Sequence, residues 1–324
     1  MAVLVTGGTG FVGSNIVGQL ASQGREVIVL DVTAPDAQLE KFWANDRARI
    51  RFVRGDVSCV NDIEEAVQGT TVKDIVHAAH RPAMPSDPSE GLQQLVRGSV
   101  LGTINMLDIA RSLPSVERFV YISSANIYGP TPESTSIVED HPLEPITTYG
   151  DTKRASEALV RYAAGDSFSG VILRLGWIYG PMERPSCSRA RMSTIWEVCH
   201  LAARGDQIDI NDVEAIRDWT YSGDVGRIVH AVLTAGHLKH LVYNVSGGVG
   251  YSTRTVLSLL KARFSDLSYT EVSDEQANVV INTSNRRGPL DISRLTKDVA
   301  VLPSHDLASG LDAYLTWLSD MGEI

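Results

Sequence analysis

Three cysteines in 324 residues, Cys59, Cys187 and Cys199, are too few and too scattered for a disulfide framework, and none forms the Cys-x-x-Cys of a zinc site. They read as reduced thiols. Positive charge is also in short supply. The formal net charge is −10, so no broad basic field draws in nucleic acid or anionic lipid, and any anionic ligand is gripped locally. No apolar run is long enough to cross a membrane, and the chain enters an apolar strand pattern at Ala2 with no charged leader or cleavage site. A soluble, cytoplasmic protein with no membrane partner is expected. Internal repeats, low-complexity tracts and long linkers are missing too. What is present is a globular composition, 43% hydrophobic, which suffices for one large domain or two modest ones.

Ala2-Val3-Leu4-Val5 has the pattern of a short buried strand. It runs into Thr6-Gly7-Gly8-Thr9-Gly10-Phe11-Val12-Gly13, and an apolar-periodic helix follows from Ser14 to Ser22. Glycine spacing alone is weak, because a flexible turn gives the same letters. Strand before and helix after make it stronger: absent side chains let the backbone approach a pyrophosphate, and the helix start offers free N–H groups and partial positive charge. The next strand, Glu26–Leu30, ends on Asp31, the place where dinucleotide recognition uses a carboxylate for the adenosine ribose hydroxyls. That carboxylate would repel a 2′-phosphate, and Val32-Thr33-Ala34 supplies no arginine, so NAD is expected over NADP.

Arg51–Arg54 leading to Gly55-Asp56-Val57, and Asp74–Val76 leading to His77-Ala78-Ala79-His80, continue the alternation of a parallel sheet. His77 and His80 have no carboxylate or thiol cluster around them and read as structural, with no metal expected. Helical patterns near 89–111 and 147–164 flank the strand 116–122. Their apolar faces suit packing on the sheet, and a second face also suits pairing with a twin subunit. That strand ends in Ser123-Ser124, at the carboxyl edge where open parallel sheets bind ligands. Tyr149 and Lys153 lie four residues apart, on one face of a helix. A phenol of pKa near 10 acts as a base at neutral pH only if its phenolate is stabilised, and lowering it by about 3 units takes roughly 4 kcal/mol. Taken alone, the pair also fits an exposed helix start.

Together with Leu173–Pro181, Arg217–Val225 and Tyr243-Asn244-Val245, these segments closely resemble the extended short-chain dehydrogenases/reductases, the NAD-dependent epimerase/dehydratase family. The resemblance implies an α/β fold. A Rossmann doubly wound parallel sheet would span 1–176, with 219–247 returning to it, and 177–218 with 248–324 would form a smaller substrate-binding domain. It implies Tyr149 as acid/base, Lys153 lowering its pKa and holding the nicotinamide ribose, and Ser124 bonded to the reacting oxygen. The NAD site implied comprises Gly7, Gly10, Phe11, Val12, Gly13, Asp31, Asp56, Val57, Ala78, Ala79, Ser99, Ser123, Gly176 and Ile178, with Tyr149 and Lys153. Substrate contacts are assigned to His80, Ser124, Asn126, Trp177, Arg191, Arg217 and Arg287, and a homodimer is expected.

Departures from the family pattern narrow the chemistry. Dehydratases place Asp-Glu after the active Ser/Thr, and nucleotide-sugar decarboxylases carry a glutamate at the position of Ala125. Here Ala125-Asn126 follow Ser124, which disfavours both. Trp177 stands where nucleotide-sugar enzymes often keep an asparagine, and Ser99 replaces another. Arg217 matches a guanidinium that binds nucleotide diphosphate in many relatives, or else pairs with its neighbour Asp218. Arg184, Arg189, Arg191 and Arg204 suggest an anionic substrate, or a solvated helix face. Pro130–Pro145 reads as a surface loop over the site, and Arg286-Arg287 as a loop reaching substrate. Three functions follow: oxidation and re-reduction of a secondary alcohol of a sugar or nucleotide sugar in an epimerase cycle; net dehydrogenation of a free sugar, sugar acid or other small hydroxy compound; or an NAD-binding regulator without catalysis.

Overall fold

The computed structural model describes residues 1–81, 88–165, 167–185 and 192–324, with side chains in the second stretch from residue 91. Six strands lie within the first 175 residues: β1 (Ala2–Thr6), β2 (Glu26–Asp31), β3 (Ile50–Arg54), β4 (Val72–His77), β5 (Arg118–Ser124) and β6 (Ser169–Leu175). They join the strand Val242–Val245 in a seven-stranded parallel sheet, ordered Val242–Val245, β6, β5, β4, β1, β2, β3. Helices cover both faces, which is why strands such as Ala2–Val5 are apolar at every position instead of alternating. Val3, Val5, Val27 and Val29 pack on one face against Ile16 and Leu20 of helix α1 (Phe11–Ser22) and against Val225 and Ile228. Leu4, Ile28, Ile75 and Phe119 meet Met106, Leu107 and Val160 on the other. A third apolar cluster gathers Ile195, Val198, Trp219, Val256, Leu257, Leu311 and Tyr314.

β1 lies between β4 and β2, where the strand order reverses, so the loops after β1, β2 and β4 converge on one crevice at the carboxyl edge. The helical pattern expected at 89–111 is a helix Pro88–Val96, a π-helical turn Arg97–Leu101 and a helix Gly102–Ser112. The turn places Ser99 inside, 3% exposed. Residues 130–145 form the expected surface loop, exposed at every even-numbered position from 130 to 144, but two buried residues anchor it. Ile137 and Glu139 are buried, Arg174 donates to the Glu139 carbonyl, and Glu139 accepts from Asn244 N–H. Partners more than thirty residues away pin this segment, which local composition does not reveal.

Candidate active site

Gly7 follows β1 with φ of 69°, and a Cβ there would lie 2.7 Å from Ala79 Cα. A side chain at Gly7 is thus excluded twice, by backbone conformation and by Ala78-Ala79 packed against it. A Cβ on Gly13 would collide with the Gly7 carbonyl. Gly10 caps α1 without a side chain, and the first turn carries no acidic residue, so the helix start is left to an external anion. Asp31 is held beside this turn by N–H donors from Thr9 at 3.0 Å and Thr33 at 3.1 Å. Asp56, at the end of the next strand, accepts from Ser58 N–H and stands 3.7 Å from Arg81, a residue not singled out from sequence although it directly follows His80. Val57 packs against Gly102. A glycine cradle, an uncapped helix start and a fixed carboxylate fit a dinucleotide.

Thr147 accepts from Gly150 N–H and starts the helix Thr148–Ala163, which puts Tyr149 in its first turn and Lys153 one turn on. Lys153 is 3% exposed; its Nζ donates to the Ile122 carbonyl at 2.7 Å and lies 4.9 Å from the Tyr121 ring centroid and 5.9 Å from that of Tyr149. Burial pulls its ammonium down to about 7. Ser124 ends β5, and its Oγ accepts from Asn126 N–H at 3.2 Å. The neighbouring Ser123 turns its hydroxyl to Glu157, which is ion-paired with Arg174 at 2.7 Å in the core. Both histidines are placed by hydrogen bonds. His77 lies between Thr6 Oγ1 at 2.7 Å and Thr103 Oγ1 at 3.1 Å, tying β1 to a covering helix. His80 Nδ1 is 2.8 Å from Ser99 Oγ, and its ring meets Tyr149 edge-on with centroids 4.7 Å apart. Burial, then the charge of Lys153, pushes His80 down to about 2, so it is neutral at working pH.

On the substrate side, Trp177 has the guanidinium carbons of Arg217 at 4.4 Å and Arg287 at 4.8 Å from its ring centroid. Arg217 donates to the carbonyls of Ile216 and Asn282, while Asp218 accepts from Leu290 N–H, so the Arg217–Asp218 pair weighed from sequence is not the geometry formed. Gly176 keeps clear of Asp218, and Ile178 pairs with Thr220 in a small sheet. Arg287 and Asn285 both donate to Asn126 Oδ1, at 3.2 and 3.1 Å. Asn285 was not singled out, although it stands in the loop that was. Arg286 pairs with Asp212 and Glu133 instead of reaching the site. Arg184 pairs with Asp36 and Arg204 with Asp206, so neither joins these groups. Arg189, Arg191 and Cys187 lie outside the described residues. Among those described, no group of three or more His, Cys, Asp or Glu is placed to hold a metal ion, and no helix is long and apolar enough to cross a membrane.

The family model for the NAD dependent epimerase/dehydratase family matches residues 3–246. The chain belongs to this family. Its relatives include the dTDP-glucose 4,6-dehydratase of Streptomyces griseus, 29% identical over 324 residues, covering 97% of this chain and 93% of that protein. The putative UDP-glucose 4-epimerase of Methanocaldococcus jannaschii is 26% identical, with 98% of each covered. Among solved structures, MoeE5 in complex with UDP-glucuronic acid and NAD is 26% identical, covers 99% of each chain and superposes with a TM-score of 0.79. The chain is thus an enzyme of the epimerase/dehydratase family with NAD as cofactor. Because relatives of both names are similar over nearly their whole length, membership alone does not choose between epimerisation and dehydration.

Proposed function

We propose that this enzyme oxidises a secondary alcohol of a sugar or nucleotide sugar, with Tyr149 as the acid/base, in a cycle that inverts the carbon by returning the hydride. The observation that carries the reading is the buried Lys153 ammonium beside Tyr149, fixed by the Ile122 carbonyl at the strand end that also presents Ser124. NAD, when bound, accepts hydride from the carbinol carbon. Tyr149 Oη takes the hydroxyl proton, Lys153 stabilises the phenolate, and Ser124 Oγ–H bonds to the oxygen as it becomes a carbonyl. His80, kept neutral, adds no competing cation. Ala125 and Asn126 offer no acid or base beside Ser124, which favours oxidation without loss of water or carboxylate. Residues 177–218 and 248–324 act as the substrate lobe. Two copies pair through the helices around 92–104 and 148–163, where Leu92, Val96, Ile104 and Tyr162 are exposed. The enzyme works in the cytoplasm.

A second reading, net dehydrogenation of a free sugar or sugar acid, is favoured by Trp177, whose indole occupies the space between two arginines. Absorbance of reduced nicotinamide, recorded while the protein meets NAD and a panel of UDP-sugars, free sugars and sugar acids, separates the two. Inverted product without net NADH supports the cycle. Stoichiometric NADH supports the dehydrogenase, and tight NAD binding with no turnover would leave neither.

A further inference from the structure

Buried charge without a direct partner is costly, and the substrate side of the site holds two such groups. Arg217 and Arg287 are 4% and 3% exposed. Their hydrogen bonds go to backbone carbonyls and to Asn126, and neither is in ion-pair contact with a carboxylate among the described residues. Asp218 pulls on Arg287 electrostatically, yet its Oδ2 accepts from Leu290 N–H and its Oδ1 has no partner. Three further polar atoms of Trp177 and the 285–287 loop are buried and unpartnered: Arg287 Nε, Trp177 Nε1 and Asn285 Oδ1. The first two are donors only, so whatever faces them must accept.

We propose that Arg287 and the Trp177 indole N–H hold a carboxylate of the substrate, close to the alcohol that Tyr149 deprotonates. The substrate is therefore a sugar acid, either free or carried as a nucleotide-linked uronate. The inference rests on the Tyr149 reading for the position of the alcohol. Arg287 reaches Asn126 Oδ1 at 3.2 Å, and Asn126 N–H reaches Ser124 Oγ at 3.2 Å, so a single residue separates the guanidinium from the hydroxyl assigned to the reacting oxygen. It also lies near enough to Tyr149 for their charges to interact. An anion bound there sits on a carbon neighbouring the alcohol, whereas a diphosphate attached across the ring lies a whole sugar away. Neighbouring side chains with two unpartnered donors can serve the two oxygens of a carboxylate, and Asn285 Oδ1 is left to accept from a sugar hydroxyl.

Two matched pairs test this by calorimetric titration of the NAD-loaded protein: UDP-glucuronate against UDP-glucose, and D-glucuronate against D-glucose, each differing only in carboxylate versus hydroxymethyl. The acid is expected to bind at least about tenfold tighter in one pair or both. Preference in both pairs identifies a free sugar acid, and preference in the nucleotide pair alone identifies a nucleotide-linked uronate. Arg287→Gln should weaken the acid by roughly 10- to 100-fold and leave its neutral partner nearly unchanged. Trp177→Phe keeps an aromatic face and deletes the N–H; it should cost the acid a smaller factor and stands in if Arg287→Gln does not fold. Equal or better binding of the neutral sugars, binding by neither acid, or equal losses for acid and neutral sugar in the variants would overturn the proposal. Tyr149→Phe keeps the two readings apart. If it abolishes turnover, read as inverted product or as NADH, while no acid preference exists, only the carboxylate site fails; if the preference exists while Tyr149→Phe turns over normally, only the Tyr149 role fails.

Discussion

Lys153→Met keeps the length of the side chain and removes its charge, and the structure predicts that the cofactor-free protein becomes more stable at neutral pH. Burial lowers the Lys153 ammonium from its ordinary 10.5 to about 7. At 1.36 kcal/mol per pKa unit, that displacement withholds about 5 kcal/mol of folding free energy at pH 7. Methionine forfeits the 2.7 Å hydrogen bond to the Ile122 carbonyl, a loss of about 1–2 kcal/mol. The net gain is therefore about 3 kcal/mol. Between pH 7 and 10.5 the unfolded chain holds the proton that the folded protein has released. Wild-type stability thus rises with pH across that window, by at most about 1.36 kcal/mol per unit, and the variant lacks this slope. Urea denaturation of both proteins at pH 7 and at about pH 9.5 reads the difference. The variant should lead clearly at pH 7, the gap should close as pH rises, and NAD affinity and turnover should fall together. A variant that is less stable at pH 7, or a gap that does not change with pH, would refute the account of Lys153 as a buried base kept at a cost to stability.

Gly13→Ala drives a methyl into the Gly7 carbonyl, so the melting temperature should fall with a loss of about 1–3 kcal/mol, and NAD affinity should drop; unchanged titration curves would show slack in the loop. Asp31 should give a preference for NAD over NADP that Asp31→Ala narrows, as read by cofactor affinities, and equal use of both by the wild type would contradict its role. Ile104 is 37% exposed, and Leu92 and Val96 of the preceding helix are exposed too, so Ile104→Glu should turn a dimer into a monomer in light scattering; a monomeric wild type would refute the pairing face.

Much of the candidate NAD site's geometry is legible in the sequence because local rules govern it. β1 and β2 are continuous apolar runs, Gly7 and Gly13 sit where backbone crowds backbone, and Tyr149 and Lys153 share a helix face by spacing alone. The substrate side was less legible because its geometry depends on distant partners. Arg184 and Arg204 suit either an anionic substrate or a solvated face, and their partners Asp36 and Asp206 lie outside the site. Arg217 reads from sequence as a diphosphate-binding guanidinium or as the partner of Asp218, yet Asp218 accepts from Leu290 N–H, far along the chain. The segment 130–145 has a loop's composition, but Glu139 and Ile137 serve the core through Asn244, Arg174 and Leu290. No periodicity encodes contacts of that range.

The central claim is that Tyr149 moves the proton as hydride leaves the alcohol. Its most direct test is the rate of NADH formation in a single turnover, wild type against Tyr149→Phe, with NAD affinity measured alongside on whichever sugar of the panel the wild type oxidises. The account predicts a fall of about 10²–10⁴-fold in rate with NAD affinity essentially unchanged. Near-normal NADH formation by Tyr149→Phe would contradict it.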